Sequence, residues 1–215
     1  MADFTYRTLS LDSYFDKIFY INLRKDTDRD KNMRLQFDML SIKNYERIEA
    51  VEINSLDNIS PAAYRNFNIK EARYVLGSIS CRASHLKCVH AAITRGYQRI
   101  LILEDDAVFL QNPDKLLTQN TEILNDWDML YFGGDPEPHF RNQIVNAHAY
   151  GIKSSLFENI LFMAEPSGME IDNFYAKIIQ HMSYNDNQSG KYNIRIILPF
   201  NQIVQNKNLK SNIRG

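Results

Sequence analysis

Apolar residues recur along the chain in two rhythms. Residues 17–23 (KIFYINL) form a short β-branched and aromatic run that predicts a buried strand. Thr27 to Asp30 (TDRD) reads as a capping box, and Met33, Phe37 and Leu40 follow at helical spacing, so strand, loop and helix are expected in succession. Arg24 and Arg29 then fall in the loop and the first helical turn. A second strand is predicted over 45–51 (YERIEAV), and an irregular surface stretch over 54–68, which is polar and interrupted by Pro61. Residues 77–96 are the most helix-like segment, with Ile79, Leu86 and Ile93 on one face and Gly96 as a C-terminal cap.

A compact apolar strand at 99–103 (RILIL) stops abruptly at Glu104, Asp105 and Asp106, and apolar sequence resumes with Ala107, Val108, Phe109 and Leu110. Further on, 113–124 reads as helix, 127–132 (WDMLYF) as a buried strand ended by Gly133 and Gly134, and 147–152 as another strand. A helix over 171–179 and strands over 194–198 and 202–204 complete the pass. Strands alternating with helices predict an α/β fold: one largely parallel sheet covered on both faces, with ligands at the carboxyl ends of its strands. Neither a repeat nor a linker divides residues 1–215, so one domain is expected.

Composition narrows the function classes. Hydrophobic residues make up 44% of the chain, enough for a core and too many for a disordered or low-complexity protein. Lys plus Arg number 25 against 26 Asp plus Glu, so no global positive field exists to hold nucleic acid, and none is expected as a partner. Cys81 and Cys88 lie too close in sequence for a bridge to constrain much of the unfolded chain, which points to a reducing compartment. No run reaches the roughly 18 apolar residues of a membrane span, and the opening MADFTYRTLS lacks the apolar run of a signal peptide. The expectation is a soluble cytoplasmic protein, with peripheral association at the inner membrane surface left open.

The three acids carry the chemistry. Carboxylates that end a buried strand repel one another and resist desolvation unless a cation or hydrogen-bonding ligand compensates them. Oxygen-only ligands favour Mg²⁺ or Mn²⁺, and such an ion favours a diphosphate-bearing nucleotide. Side chains two apart on an extended segment share a face, which puts Glu104 and Asp106 together and turns Asp105 aside. One of the acids is free to take a ribose hydroxyl instead of metal. A solvated turn is the competing reading, but the apolar sequence on both sides opposes it.

FYINLRKDTDR, RIEAVE, GSISCRASHLKCVHAAITRGYQRILILEDDAVF, WDMLYFGG, AHAYGI and EIDNFYAK occur here in the order and spacing of glycosyltransferase family 25, which the chain resembles from about residue 17 to its end. The family comprises bacterial lipooligosaccharide galactosyltransferases and procollagen galactosyltransferases. The resemblance implies a GT-A-like, Rossmann-like α/β fold, a mixed and mainly parallel sheet flanked by helices. It also implies inverting, metal-dependent transfer of a hexose, often galactose, from a UDP-sugar to a hydroxyl of a glycan or glycoconjugate acceptor. By the same resemblance Glu104 and Asp106 hold Mn²⁺ or Mg²⁺. Glu104 and Asp105 meet the ribose or diphosphate, and Asn22, Leu23, Arg24 and Arg29 belong to the opening nucleotide-binding stretch, where arginine forks suit phosphate.

The family pattern G-x-x-G-C-x-x-S-H falls on residues 77–85, with Ser80 in place of the second glycine and free to cap the helix instead. Ser84 and His85 are expected to contact the donor. The alternative is that His85, with Cys81 and Cys88 at helical spacing, forms a packed face; three ligands crowded on one helix fit a zinc site poorly. An inverting transfer needs a general base, and Asp172 and Glu170, at the head of the predicted 171–179 helix, are the candidates, with helix capping as the competing role for Asp172. Gly133 and Gly134 permit a close approach on the acceptor side, His148 and Tyr150 are placed to face the sugar, and PEPHFRN (136–142) reads as an exposed loop that orders with substrate. A catalytically degenerate, nucleotide- or glycan-binding family member is the alternative to an active enzyme.

Overall fold

The computed structural model describes residues 9–137, 143–184, 192–197 and 201–205. Its strands are β1 (Lys17–Asn22), β2 (Tyr45–Glu49), β3 (Arg99–Glu104), β4 (Ala107–Phe109), β5 (Met129–Tyr131), β6 (Asp135–Glu137), β7 (Gln143–Val145), β8 (Ala149–Lys153), β9 (Ile194–Ile196) and β10 (Ile203–Gln205). The helices used below are α1 (Leu11–Tyr14), α2 (Thr27–Met39), α3 (Ala72–Thr94), α4 (Pro113–Gln119), α5 (Ser154–Ser167) and α6 (Ile171–Phe174), the last continuing into a π-helical turn at Tyr175–Gln180.

Six strands form the central sheet in the order β2-β1-β3-β8-β5-β9. All run the same way except β8, which is antiparallel to both β3 and β5. The fold is therefore α/β with a mixed, mainly parallel sheet, as expected. Period-two alternation splits each strand's side chains between two apolar layers. Ile18, Tyr20, Leu101, Leu103, Leu130 and Ala149 face α1, α2 and α4, while Phe19, Ile21, Ile100, Ile102, Met129, Tyr131, Tyr150 and Ile152 face α3, α5 and α6. A strand covered on both sides has no polar alternation, which is why RILIL reads as a continuous apolar run.

Several boundaries differ from the sequence reading. Asp26 caps α2 without a side-chain bond, so Thr27 forms no capping box; Asp30 instead accepts from the Tyr20 hydroxyl at 2.5 Å and from Arg34 at 2.9 Å. α3 begins at Ala72, which leaves Gly77 and Ser80 inside the helix, and Ser80 caps nothing; Gly96 does follow its end, at φ +71°. The expected helix over 113–124 breaks after Gln119, where the Asn120 side chain donates to the Leu116 carbonyl and a 3₁₀ turn follows at Ile123–Asn125. α5 was not anticipated, although Leu156, Phe157, Ile160 and Ala164 recur at helical spacing and all face the core. Residues 138–142 of the expected substrate-ordered loop, and Leu198, lie outside the described residues.

Two features of this topology build the end of the sheet where the acids lie. β3 ends at Glu104, the chain turns through Asp105 and Asp106, and it leaves as β4, which pairs antiparallel with β10. The β10 segment also docks against the WDMLYFGG strand: Gln202 and Ile203 donate to the Phe132 carbonyl, and Gly134 donates to the Asn201 side chain at 2.8 Å. A Cβ on Gly133 would lie 1.9 Å from the Ile203 carbonyl oxygen. The close approach that this glycine permits is made by the chain's own β10. Gly133→Ala is expected to lower stability by about 1–3 kcal/mol, the usual range for overpacking against a fixed neighbour, read as a lower urea midpoint at unchanged slope. An unchanged midpoint removes the docking argument.

Candidate active site

A cavity of about 670 Å³ opens at the carboxyl ends of β1, β2 and β3. Its walls are Ile21, Asn22 and Leu23 at the end of β1, residues 50–54 after β2, and one face of α3; the acids close it. The α3 face comprises Arg73, Leu76, Gly77, Ser80, Cys81, Ser84 and His85, a three- and four-residue spacing that keeps every one of them on one side of the helix.

Each acid has its own partners. Asp105 accepts from Asn22 Nδ2 at 2.7 Å and from Arg29 at 2.6 Å, with that arginine side chain only 13% exposed. Arg47 donates to Asn22 Oδ1 at 2.9 Å, which turns the Asn22 amide so that its nitrogen faces Asp105. Glu104 meets His85 Nε2 at 3.2 Å, and Asp106 Oδ2 accepts from Gln205 at 3.1 Å. Asp106 Oδ1 is buried with no hydrogen-bond partner among the described residues. The Arg29 guanidinium that binds Asp105 also lies 4.0 Å from Asp106 Oδ2.

These surroundings divide the acids electrically. Burial raises the Asp105 pKa despite Arg29 and Asn22, which pull it down. Burial and then the neighbouring Glu104 charge push Asp106 up to about 7. Burial acts on Glu104 too, but the hydrogen bond and charge of His85 outweigh it and hold Glu104 below the usual carboxylate range. Near neutral pH Glu104 is thus ionised, while Asp106 retains its proton part of the time. A cation would replace that proton, and the orphaned Asp106 oxygen beside ionised Glu104 is the donor set that a hard divalent ion takes.

Behind Glu104 runs a buried chain of hydrogen bonds. His85 Nδ1 lies 2.8 Å from the Tyr150 hydroxyl, which lies 3.0 Å from the Tyr175 hydroxyl. The reversal of β8 brings this about, because it sets Tyr150 beside Ile102 of β3 and Tyr131 of β5. Tyr150 is fully buried, and His148 is buried with Nε2 2.9 Å from the Ile203 carbonyl oxygen; neither is among the residues that line the cavity. Ser84 Oγ accepts from Val51 N and Ser80 Oγ from Ile53 N, so both α3 hydroxyls pin the wall after β2.

The structure brings Asn22, Leu23, Arg29, Ser84, His85, Glu104, Asp105 and Asp106 to one cavity. Arg24 is not among its lining residues; its side chain is 81% exposed and pairs with Glu49 at 2.8 Å. Glu170 is buried and tied to Asn68 N at 3.3 Å and to the Asn173 side chain at 3.0 Å. Asp172 is the second residue of α6's first turn, and Glu170 occupies the N-cap. Burial raises the Asp172 pKa, and the nearby charges of Glu104 and Glu170 raise it further. Gln205, Tyr175, Lys25 and Arg73 were not anticipated. For Gln205 no local signal existed, since its partner lies 99 residues away.

The glycosyltransferase family 25 (LPS biosynthesis protein) model matches residues 15–184. Procollagen galactosyltransferase 1-B of Xenopus laevis is 26% identical over 186 residues, covering 74% of this chain and 30% of its own length. A glycosyltransferase 25 family member of Drosophila melanogaster is 28% identical over 150 residues, 62% of this chain and 24% of its own. The chain thus spans less than a third of these curated relatives. A glycosyltransferase involved in glycosylation of the major capsid of PBCV-1 aligns in structure with TM-score 0.45 and 11% identity, over 84% of this chain and 80% of that one. The matched span runs from before β1 to beyond α6 and takes in every acid described above, and on that extent the chain belongs to glycosyltransferase family 25.

Proposed function

We propose that the protein is an inverting glycosyltransferase that moves a hexose, galactose by analogy with its relatives, from a UDP-sugar to a hydroxyl of a glycan or glycoconjugate. The observation that carries this reading is the unpartnered Asp106 oxygen beside ionised Glu104, in a cavity whose volume suits a nucleotide sugar. Glu104 and Asp106 would hold Mn²⁺ or Mg²⁺, which when bound supplies positive charge to the diphosphate leaving group. Asp105, fixed by Asn22 and Arg29, closes the same end of the cavity and is placed for a ribose hydroxyl. His85 positions Glu104 rather than touching the donor. Arg24, outside the cavity, is not assigned a donor contact. Of the two base candidates, neither of which lines the cavity, Asp172 fits the role better: Glu170 accepts from both Asn68 N and the Asn173 side chain, whereas Asp172 accepts from Asn173 N, and burial and the Glu104 charge raise its pKa, as a general base needs.

Thermal melts with UDP-Gal, UDP-Glc, UDP-GlcNAc and UDP, each with and without Mn²⁺, test the binding step. A higher Tm with UDP or one of its sugars that requires Mn²⁺ is expected; no shift with any of them removes the reading. UDP release in the presence of acceptor then separates an enzyme from a binding-only relative.

Asp172→Asn should lower kcat by about 10²–10⁴-fold, the usual contribution of a positioned base, while the UDP-sugar shift persists. Equal loss of binding and turnover assigns Asp172 to the fold instead.

Asp106 also sets a pH dependence. Its folded pKa lies above the unfolded value, so its contribution to stability is complete below about pH 4 and is lost as pH rises through about 7. Asp106→Asn should therefore be more stable than the parent at pH 8 without metal, by a few kcal/mol at most at ~1.4 kcal/mol per pKa unit, and should lose the Mn²⁺-dependent Tm increase. Parallel pH profiles for the two proteins would contradict this.

A further inference from the structure

At the back of the cavity a second donor set overlaps the first. Cys81 and His85 lie one helical turn apart on the cavity face of α3, and Glu104 ends β3 opposite them. The Cys81 sulfur, a His85 ring nitrogen and a Glu104 carboxylate oxygen all lie within 4.8 Å of one another. Cys88, which helical spacing groups with them, instead packs into the core with its sulfur 3.5 Å from the Ser84 carbonyl oxygen. The third ligand is thus a carboxylate from a neighbouring strand, and this removes the crowding that argued against zinc when only the helix was considered.

The geometry suits a tetrahedral ion. With metal–nitrogen and metal–oxygen bonds of about 2.0 Å, two tetrahedral ligand atoms sit roughly 3.3 Å apart, and His85 Nε2 and Glu104 Oε1 are already 3.2 Å apart. Tyr150 anchors His85 Nδ1 at 2.8 Å, which leaves Nε2 directed at Glu104, the outer-shell arrangement typical of a metal-bound imidazole. Thiolate, imidazole and carboxylate together select a borderline-soft ion over Mg²⁺ or Mn²⁺. Three protein ligands leave a fourth position for water.

We propose that Cys81, His85 and Glu104 form a site for a thiophilic divalent cation, Zn²⁺ by its chemistry, and that Zn²⁺ there excludes the donor ion because both need Glu104. The exclusion rests on the proposed role of Glu104 in holding the donor ion; the site itself does not. Binding breaks the Cys81 S–H bond and removes the proton that His85 Nε2 gives to Glu104, forms sulfur–metal and nitrogen–metal bonds in their place, and releases the displaced protons to solvent, with no change of oxidation state.

Co²⁺ reports the ligands directly. Titrated into the full metal-free chain, it should give a sulfur-to-cobalt charge-transfer band that Zn²⁺ abolishes. The band should survive in Asp106→Asn and Cys88→Ala and vanish in Cys81→Ser, with circular dichroism confirming that each variant is folded. Co²⁺ binding without the band, or a band that persists in Cys81→Ser, overturns the site. Should Cys81→Ser not fold, loss of the band in His85→Ala supports the site and its persistence overturns it. Mn²⁺ binding followed by electron paramagnetic resonance tests the exclusion: Zn²⁺ should displace Mn²⁺ from the parent. A cobalt band without displacement of Mn²⁺ upholds the site and overturns the shared use of Glu104.

Discussion

Three consecutive carboxylates withdrawn from bulk water at the end of a core strand are the constraint around which this end of the molecule is organised. Desolvation opposes each charge, and each charge opposes the others, so the fold must bring compensation from elsewhere. It does so unequally. Asp105 receives a guanidinium and an amide, Glu104 an imidazole, and Asp106 one amide with the same guanidinium at 4.0 Å, which leaves one oxygen unsatisfied. The compensating groups come from β1, α2, α3 and β10, so the site exists only when the whole sheet has assembled. Its residual imbalance, concentrated on Asp106, is what a cation would relieve.

The reversed strand explains how so much polar chemistry lies beside a dry core. Because β8 runs against its neighbours, its first residues arrive at the carboxyl end of β3, where the His148 carbonyl accepts from Glu104 N. Tyr150 then sits one layer deeper and passes the hydrogen-bond chain from His85 to Tyr175 without exposing a polar atom. A buried tyrosine is tolerated when its hydroxyl is satisfied, and here two hydroxyls and an imidazole satisfy one another. Aromatic residues that suggested sugar stacking are therefore part of the support behind Glu104.

Periodicity made most of the fold legible. The apolar runs of β1 and β3 and the 3.6-residue rhythm of α2 and α3 are local signals, and the acids stand out because they interrupt one of those runs. α5 carries the same helical spacing, but it follows β8 directly, at Ser154 after Lys153, so no turn residue marks where strand gives way to helix. What local sequence does not carry is partnership. Whether Arg24 or Arg29 turns inward depends on which carboxylate lies across the sheet: Glu49 draws one out to the rim and Asp105 draws the other in. Gln205 and Glu170 belong to the same class, each defined by a contact about a hundred residues away.

α3 shows how one helix face can serve structure and chemistry at once. Ser80 and Ser84 spend their hydroxyls on the backbone after β2, which fixes the cavity wall. On the same stripe Cys81 and His85 remain directed at the acids. The departure from glycine at Ser80 fits this division: the residue lies mid-helix, where no left-handed backbone is required, and a hydroxyl there gains a bond to Ile53 N that glycine could not make. A wall held by side-chain hydrogen bonds rather than by sheet pairing is the part of the site whose shape a single substitution can change without touching the acids. Residues 51–54 therefore depend for their position on Ser80 and Ser84 rather than on the sheet.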